Sequence, residues 1–278
     1  GKLLRYTMVH DFVAGDYMWT GIDYLGEANW PQRSAGCGCL DTCGFEKDAF
    51  YFYKSVWNQN EKFAYLCPHW NLKLEKGTVL PVICYTNCED AELFVNGRSF
   101  GMKSKGFPCY GMTERYGHFD RYRRPANTDD LFLSWDVPYE PGKIEVVGYH
   151  DGKEVCRYKV ETTGEAASIK LTVDKTSVDA DGRSIVQAEV RIVDSEGRLV
   201  FNACPELDFT LEGDAKIIGI DNGDPACHEQ WKETKGRHAF NGMAYAVIRA
   251  GQNKGELKLT VTSSDNTLTN ASVTIQVG

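Results

Sequence analysis

From Lys62 to Gly278 apolar and polar residues alternate in short runs. A period of two repeated over so many segments leaves a chain few options besides paired β-sheets. The first set of runs is Val79 to Tyr85, Ala91 to Val95, Leu131 to Trp135, Lys143 to Tyr149 and Glu154 to Thr162. A small-residue linker, Thr162-Thr-Gly-Glu-Ala-Ala167, separates it from Ile169 to Val173, Ile185 to Val193, Leu207 to Leu211, Ala244 to Ala250, Leu257 to Thr262 and Ala271 to Val277. Asn96-Gly97 and Asp151-Gly152 are flanked by apolar alternation and predict tight type I′ hairpins, whose two central positions both need positive φ. Asp181-Gly182 and Glu196-Gly197 punctuate the second set in the same way. About seven short strands per hundred residues suit an immunoglobulin-like sandwich. The expected fold class is therefore mainly β, with one β-sandwich over 58–163 and an immunoglobulin-like sandwich over 164–278. Gly101 to Asp130, rich in glycine, arginine and tyrosine, reads as a long surface loop.

Residues 1–57 read differently. Phe12-Val13 and Tyr17 to Ile22 are β-branched and aromatic, with Gly15, Gly21 and Gly26 between and after them, which predicts a buried strand running into a glycine-broken loop. On such a strand Trp19, Gly21 and Asp23 share a face. An indole beside a carboxylate is suited to holding a sugar, because the ring packs on C–H faces and the carboxylate accepts hydroxyl hydrogen bonds. The same spacing fits a core tryptophan next to a capping aspartate. A turn-rich loop, Asn29 to Gly44, follows, and then Phe45, Ala49, Phe52, Tyr53 and Val56 recur at helical intervals. Strand, loop and helix make one βα unit, the short α/β element expected ahead of the sandwiches. Its side chains Phe12, Val13, Tyr17, Met18, Ile22, Phe45, Phe52 and Trp57 are expected to pack on the next sandwich or on another copy of the chain, since together they exceed the apolar patch a monomer usually exposes.

The formal net charge of -8 argues against nucleic acid as a partner, although Arg115, Arg121, Arg123 and Arg124 make one local basic patch. No apolar run reaches membrane length. The ten cysteines include a C-x-C-x3-C cluster, Cys37, Cys39 and Cys43, and a C-x3-C pair, Cys84 and Cys88, but not the paired halves of a zinc module. No metal and no cofactor is expected, and Cys67, Cys84, Cys156 and Cys204 read as small buried hydrophobes. Gly1 in place of methionine reads as a cleaved end, so a native targeting signal would not show.

Phe12 to Glu27, then Leu40-Asp-Thr-Cys-Gly-Phe-Glu-Lys-Asp48 with the tyrosine-rich helix, resembles the last βα unit of the catalytic barrel in glycoside hydrolase family 2, the β-galactosidase family. Pro68-His-Trp-Asn71, Glu92-Leu-Phe-Val-Asn-Gly-Arg-Ser99 and Trp135-Asp-Val-Pro-Tyr-Glu-Pro-Gly142 resemble the sandwich that follows that barrel, and Gly219-Ile-Asp-Asn-Gly-Asp224 with Ala239-Phe-Asn-Gly242 resembles the terminal immunoglobulin-like domain. The resemblance implies domains at 1–57, 58–163 and 164–278 and a carbohydrate partner, a β-galactoside or a related glycoside; a homo-oligomer is compatible with it. It implies Trp19 as a lining residue of the sugar subsite, with Glu27 and Asp23 as further substrate-binding candidates. Family members hydrolyse with retention through two glutamates, both of which would precede Gly1, so no catalytic residue is expected here. Two other readings treat the sandwiches as carbohydrate-binding modules with Trp70, Trp135 or Trp231 as platforms, or as structural spacers.

Overall fold

The computed structural model describes residues 1–104 and 131–278. Arg115, Arg121, Arg123 and Arg124, with most of the loop expected over 101–130, lie outside the described residues. The chain is mainly β, and its contacts gather into two compact units, residues 1–21 with 46–162 and residues 22–45 with 163–278. Residues 1–57 therefore do not gather as one body.

The first unit is a sandwich of two antiparallel sheets. One has the order β3 (Ala64–Cys67), β4 (Val79–Thr86), β7 (Leu133–Pro138). The other runs β6 (Arg98–Ser104), β5 (Asp90–Val95), β8 (Lys143–His150), β9 (Lys153–Glu161). Inward residues alternate as the period of two requires, and Leu66, Val82, Leu93, Val95, Val137, Ile144 and Val146 form the core between the sheets. Trp70 is fully buried among them, its indole Nε1–H donating to the Glu140 carbonyl at 2.9 Å, which satisfies the one polar group the ring carries. Both hairpins form as expected. Asn96 and Gly97 (φ 49° and 81°) join β5 to β6, and Asp151 and Gly152 (φ 50° and 70°) join β8 to β9. β6 extends through Ser104, so 101–104 is strand, not loop.

Ahead of this sandwich lie α1 (Lys2–Val9), absent from the sequence reading, and α2 (Asp48–Trp57), which packs against β3 and β4. Phe52 is buried, Tyr51 stacks on Tyr65 at 3.7 Å between ring centroids, and the Tyr65 hydroxyl donates to Asp48 Oδ1 at 2.7 Å. The strand expected over 12–22 does not form. A barrel strand draws its hydrogen bonds from neighbours on both sides, and no strand among the described residues pairs with 12–21. Among the described residues this region keeps isolated bridges from Ile22 to Leu40 and from Gly26 to Ser34 and the short ladder of β1 (Tyr24–Leu25) with β2 (Ser34–Ala35). Within one chain the expected packing of this segment forms in part: Phe45 and Phe52 are buried, while Phe12 (73 % exposed), Tyr17 (98 %), Ile22 (52 %) and Trp57 (59 %) are not covered by the sandwich.

The second unit holds an immunoglobulin-like sandwich. One sheet has the order β10 (Ser168–Val173), β12 (Ile185–Val193), β16 (Met243–Ala250), β14 (Ala215–Asp221). The other runs β11 (Ser177–Val178), β18 (Ala271–Val277), β17 (Gly255–Ser263), β13 (Glu206–Glu212), β15 (Arg237–His238). Val186, Val190, Ile192, Leu207, Ile248, Leu257, Leu259 and Ile275 close its core. After β12 the Glu196-Gly197 turn is tied by Asp194, whose covered carboxylate accepts from the backbone N–H groups of Gly164, Glu196 and Arg198 and from the Arg198 guanidinium. Burial alone would raise the Asp194 pKa, but the Arg198 guanidinium and these backbone donors together hold it down at about 2.

Two outcomes follow for stability. Trp70→Ala is expected to cost about 3–5 kcal/mol in urea unfolding of the first unit, the range for emptying a large aromatic site in a core. Because the folded Asp194 carboxyl titrates below its unfolded value, its contribution is present above about pH 4 and fades as the pH falls toward about 2. Asp194→Asn should therefore lower the urea midpoint at pH 7, with the deficit shrinking through that acid window.

Candidate functional site

The residues expected to meet a sugar fall on two irregular segments, and each is held by a different device. In the first unit, residues 10–21 run without helix or strand, and the Trp19–Thr20 peptide is cis. Trp19 is 72 % exposed, so the indole offers a ring face to solvent instead of lying in a core. The shared strand face that aligned Trp19 with Asp23 is not built, because the strand itself is missing and the two residues belong to different units.

In the second unit, residues 22–45 fold back on themselves. The backbone N–H of Asp23 donates to the Leu40 carbonyl at 2.9 Å, and the N–H of Gly38 donates to Asp23 Oδ1 at 2.6 Å. A β-carbon at position 38 would stand 2.3 Å from the Asp23 nitrogen, so this crossing requires glycine. Asp23 is only 6 % exposed. Its carboxylate is thus occupied in closing the loop, a structural duty that the expected sugar contact did not include. Glu27 differs: it sits on the exposed turn after β1 with φ 48°, and its Oε2 accepts a hydrogen bond from the Tyr24 hydroxyl. That leaves the second carboxylate oxygen and the outer lone pairs available to a hydroxyl-bearing ligand.

Asp41 closes the other end of the loop, accepting from the N–H groups of Cys43 and Phe45, each at 2.9 Å. Burial raises the Asp41 pKa, and the two backbone donors partly offset it. Burial, reinforced by Asp221 and Asp41, also pushes the Cys43 thiol well up, so this member of the cysteine cluster is a neutral thiol and not a nucleophile at neutral pH. No group of three or more His, Cys, Asp or Glu side chains with metal-holding geometry occurs among the described residues. Cys67 and Cys84 are buried as expected, Cys156 is partly buried, and Cys204 is exposed, against expectation, because it lies in the irregular stretch before β13 and not in a strand.

Sequence reasoning missed two features. Trp30 is 84 % exposed in the 22–45 loop, its ring tilted by 33° against that of His228 at 4.9 Å between centroids, and His228 Nε2 lies 2.7 Å from the Pro31 carbonyl oxygen. Arg33 reaches Asp221 at 2.9 Å, and the same Asp221 oxygen receives the buried Arg237 at 2.5 Å. The Arg33 pairing spans 188 positions of sequence, a distance over which no local pattern signals contact. Of the three tryptophans considered as sugar platforms in the sandwiches, Trp70 and Trp135 are core residues at 0 % and 4 % exposure, and Trp231 is 45 % exposed beneath the Arg33 guanidinium.

The chain is similar to known proteins over most of its length. Residues 169–274 match the glycoside hydrolase family 2 C-terminal domain 5, and residues 77–156 match a domain of unknown function, DUF4982. A β-galactosidase from Bacteroides ovatus is 36 % identical over 94 % of this chain and 28 % of its own length. A putative β-glucuronidase from Formosa agariphila is 32 % identical over 90 % of this chain and 22 % of its own. The crystal structure of a β-glycosidase from Bacteroides vulgatus superposes with a TM-score of 0.78 at 32 % identity, covering 93 % of this chain and 30 % of that one. The chain thus spans under a third of the length of these relatives. The chain belongs to glycoside hydrolase family 2.

Proposed function

We propose that these 278 residues are the carboxyl-terminal portion of a retaining exo-β-glycosidase that acts on terminal β-galactosides. In this reading Trp19 packs its exposed ring on the apolar face of the sugar, and Glu27 accepts a hydroxyl hydrogen bond. Asp23 holds the loop that carries Glu27. The carboxylates that perform the chemistry, an acid/base and a nucleophile about 5 to 5.5 Å apart, belong to a part of the protein outside these residues. The similarity along 94 % of the chain to a β-galactosidase supports the substrate class.

A β-glucuronidase is the competing reading, favoured by the Formosa relative. One observation weighs against it. From Asp11 to Glu27 the chain holds three exposed carboxylates, Asp11, Asp16 and Glu27, besides the buried Asp23, and no lysine or arginine. A glucuronide carries its own carboxylate, which calls for a guanidinium or ammonium partner and is repelled by like charge. A neutral galactoside meets no such penalty.

The test is turnover of aryl β-galactoside against aryl β-glucuronide by the enzyme that contains this chain. A higher kcat/KM for the galactoside is expected, and an inverted preference would transfer the assignment to the glucuronide. Trp19→Ala should lower kcat/KM by roughly tenfold or more, the loss of an aromatic contact of about 1.4 kcal/mol, with Trp19→Phe retaining part of it. The 278 residues alone should show no turnover even at high concentration, and activity lost on changing Asp16, Asp23 or Glu27 would overturn the placement of the catalytic pair.

A further inference from the structure

The Gly219–Asp224 motif belongs to a domain with no group suited to the chemistry, yet its Asp221 is the meeting point of the second unit's charged side chains. Oδ1 of Asp221 accepts from Arg33 at 2.9 Å, from Arg237 at 2.5 Å and from the backbone N–H of Asn222 at 2.9 Å, and Oδ2 receives the Thr42 hydroxyl at 3.4 Å. Arg237 is 1 % exposed and is fastened to the sandwich by a second bond, Nη1 to the Glu229 carbonyl at 3.0 Å. Arg33 and Thr42 belong to the other partner, the 22–45 loop. Around this centre the Arg33 N–H donates to the Pro225 carbonyl at 2.8 Å, and the Arg33 guanidinium lies 5.5 Å from the centre of the Trp231 ring. At the far side of the same motif, a β-carbon on Gly223 would come within 2.0 Å of Asp41 Oδ2, so the loop and the motif are in direct apposition there too.

A segment with only two residues in each of its strands has little ladder to order it, and the entropy of fixing it must be offset by such specific bonds. We propose that Arg33 and Asp221 are positioning residues for sugar binding: the terminal immunoglobulin-like sandwich, through Asp221 braced by Arg237, clamps the 22–45 loop so that Glu27 and the exposed Trp30 stand in one fixed geometry. The inference rests on the reading of Glu27 as a sugar contact. It gives the sandwich a task that neither a spacer nor a separate carbohydrate-binding module performs, and it makes Trp30 a further candidate ring platform carried by the clamped loop.

Arg33→Met is the informative change in the complete enzyme, because it leaves Asp221 paired with the buried Arg237 and so spares the sandwich, whereas replacing Asp221 would strand that cation. Hydrogen exchange and kinetics on an aryl β-galactoside are read together, with Arg33→Lys as the conservative variant. Expected are faster exchange confined to residues 28–43, unchanged exchange in β12, β16 and β17, and KM raised roughly tenfold with kcat within about threefold, since misplacing a binding group acts mainly on substrate capture. Arg33→Lys should recover part of the KM. Exchange that is unchanged in 28–43, or that rises equally through the sandwich, overturns the inference, as does an unaltered KM in an active enzyme. No turnover by the unaltered enzyme would instead remove the glycosidase reading on which the inference stands.

Discussion

Each of the four sandwich sheets has one apolar face, and the structure depends on closing those faces against each other in pairs. At about 25 cal/mol per Å² of apolar surface removed from water, the inward rows of β4, β5, β7 and β8 supply the drive in the first unit and those of β12, β13, β16 and β17 in the second. Neither core leaves room for side chains with unmet polar groups. Trp70 is admitted because Glu140 takes its N–H, and Tyr139 because its hydroxyl donates to the Leu72 carbonyl at 3.1 Å. Once the sandwiches are closed they act as fixed frames, and the segments without ladders are ordered only by what they can attach to those frames.

Carboxylates make those attachments. An ionised carboxylate is an acceptor with several lone pairs, so one side chain can take the N–H groups that a missing strand neighbour would have taken. Asp23 does this for Gly38, Asp41 for Cys43 and Phe45, and Asp194 for the turn after β12. The acidic residues of the 22–45 loop are therefore divided by burial into two groups. Asp23 and Asp41 are spent on the backbone, and Glu27, on an exposed turn with a tyrosine hydroxyl beside it, is the one left facing outward.

The same logic assigns the tryptophans. Trp70 and Trp135 lie on inward positions of the first sandwich, where their area is worth most in the core. Trp19 lies on a segment with no ladder and Trp30 in the loop between the two-residue strands β1 and β2, and both side chains stay largely exposed. For a member of glycoside hydrolase family 2, the exposed rings and the outward carboxylate are the proposed sugar contacts, and the proposed task of the terminal sandwich is to hold part of them still.

Sequence by itself determined the sandwiches, down to β12 and β18 at their observed bounds and the two positive-φ hairpins, because a period of two and an Asn-Gly or Asp-Gly turn are local properties of a chain. It also determined α2, whose apolar spacing matches one face of a helix. It misplaced the opening strand, since strand-forming side chains at 12–22 have the propensity but not the neighbours, and a strand exists only through bonds to another. Which carboxylates are spent and which are free, which tryptophans are core, and the meeting of Arg33 with Asp221 across 188 positions were decided by tertiary structure alone. Burial and long-range charge pairing depend on which surfaces the closed sheets bring together, and no short stretch of sequence carries that information.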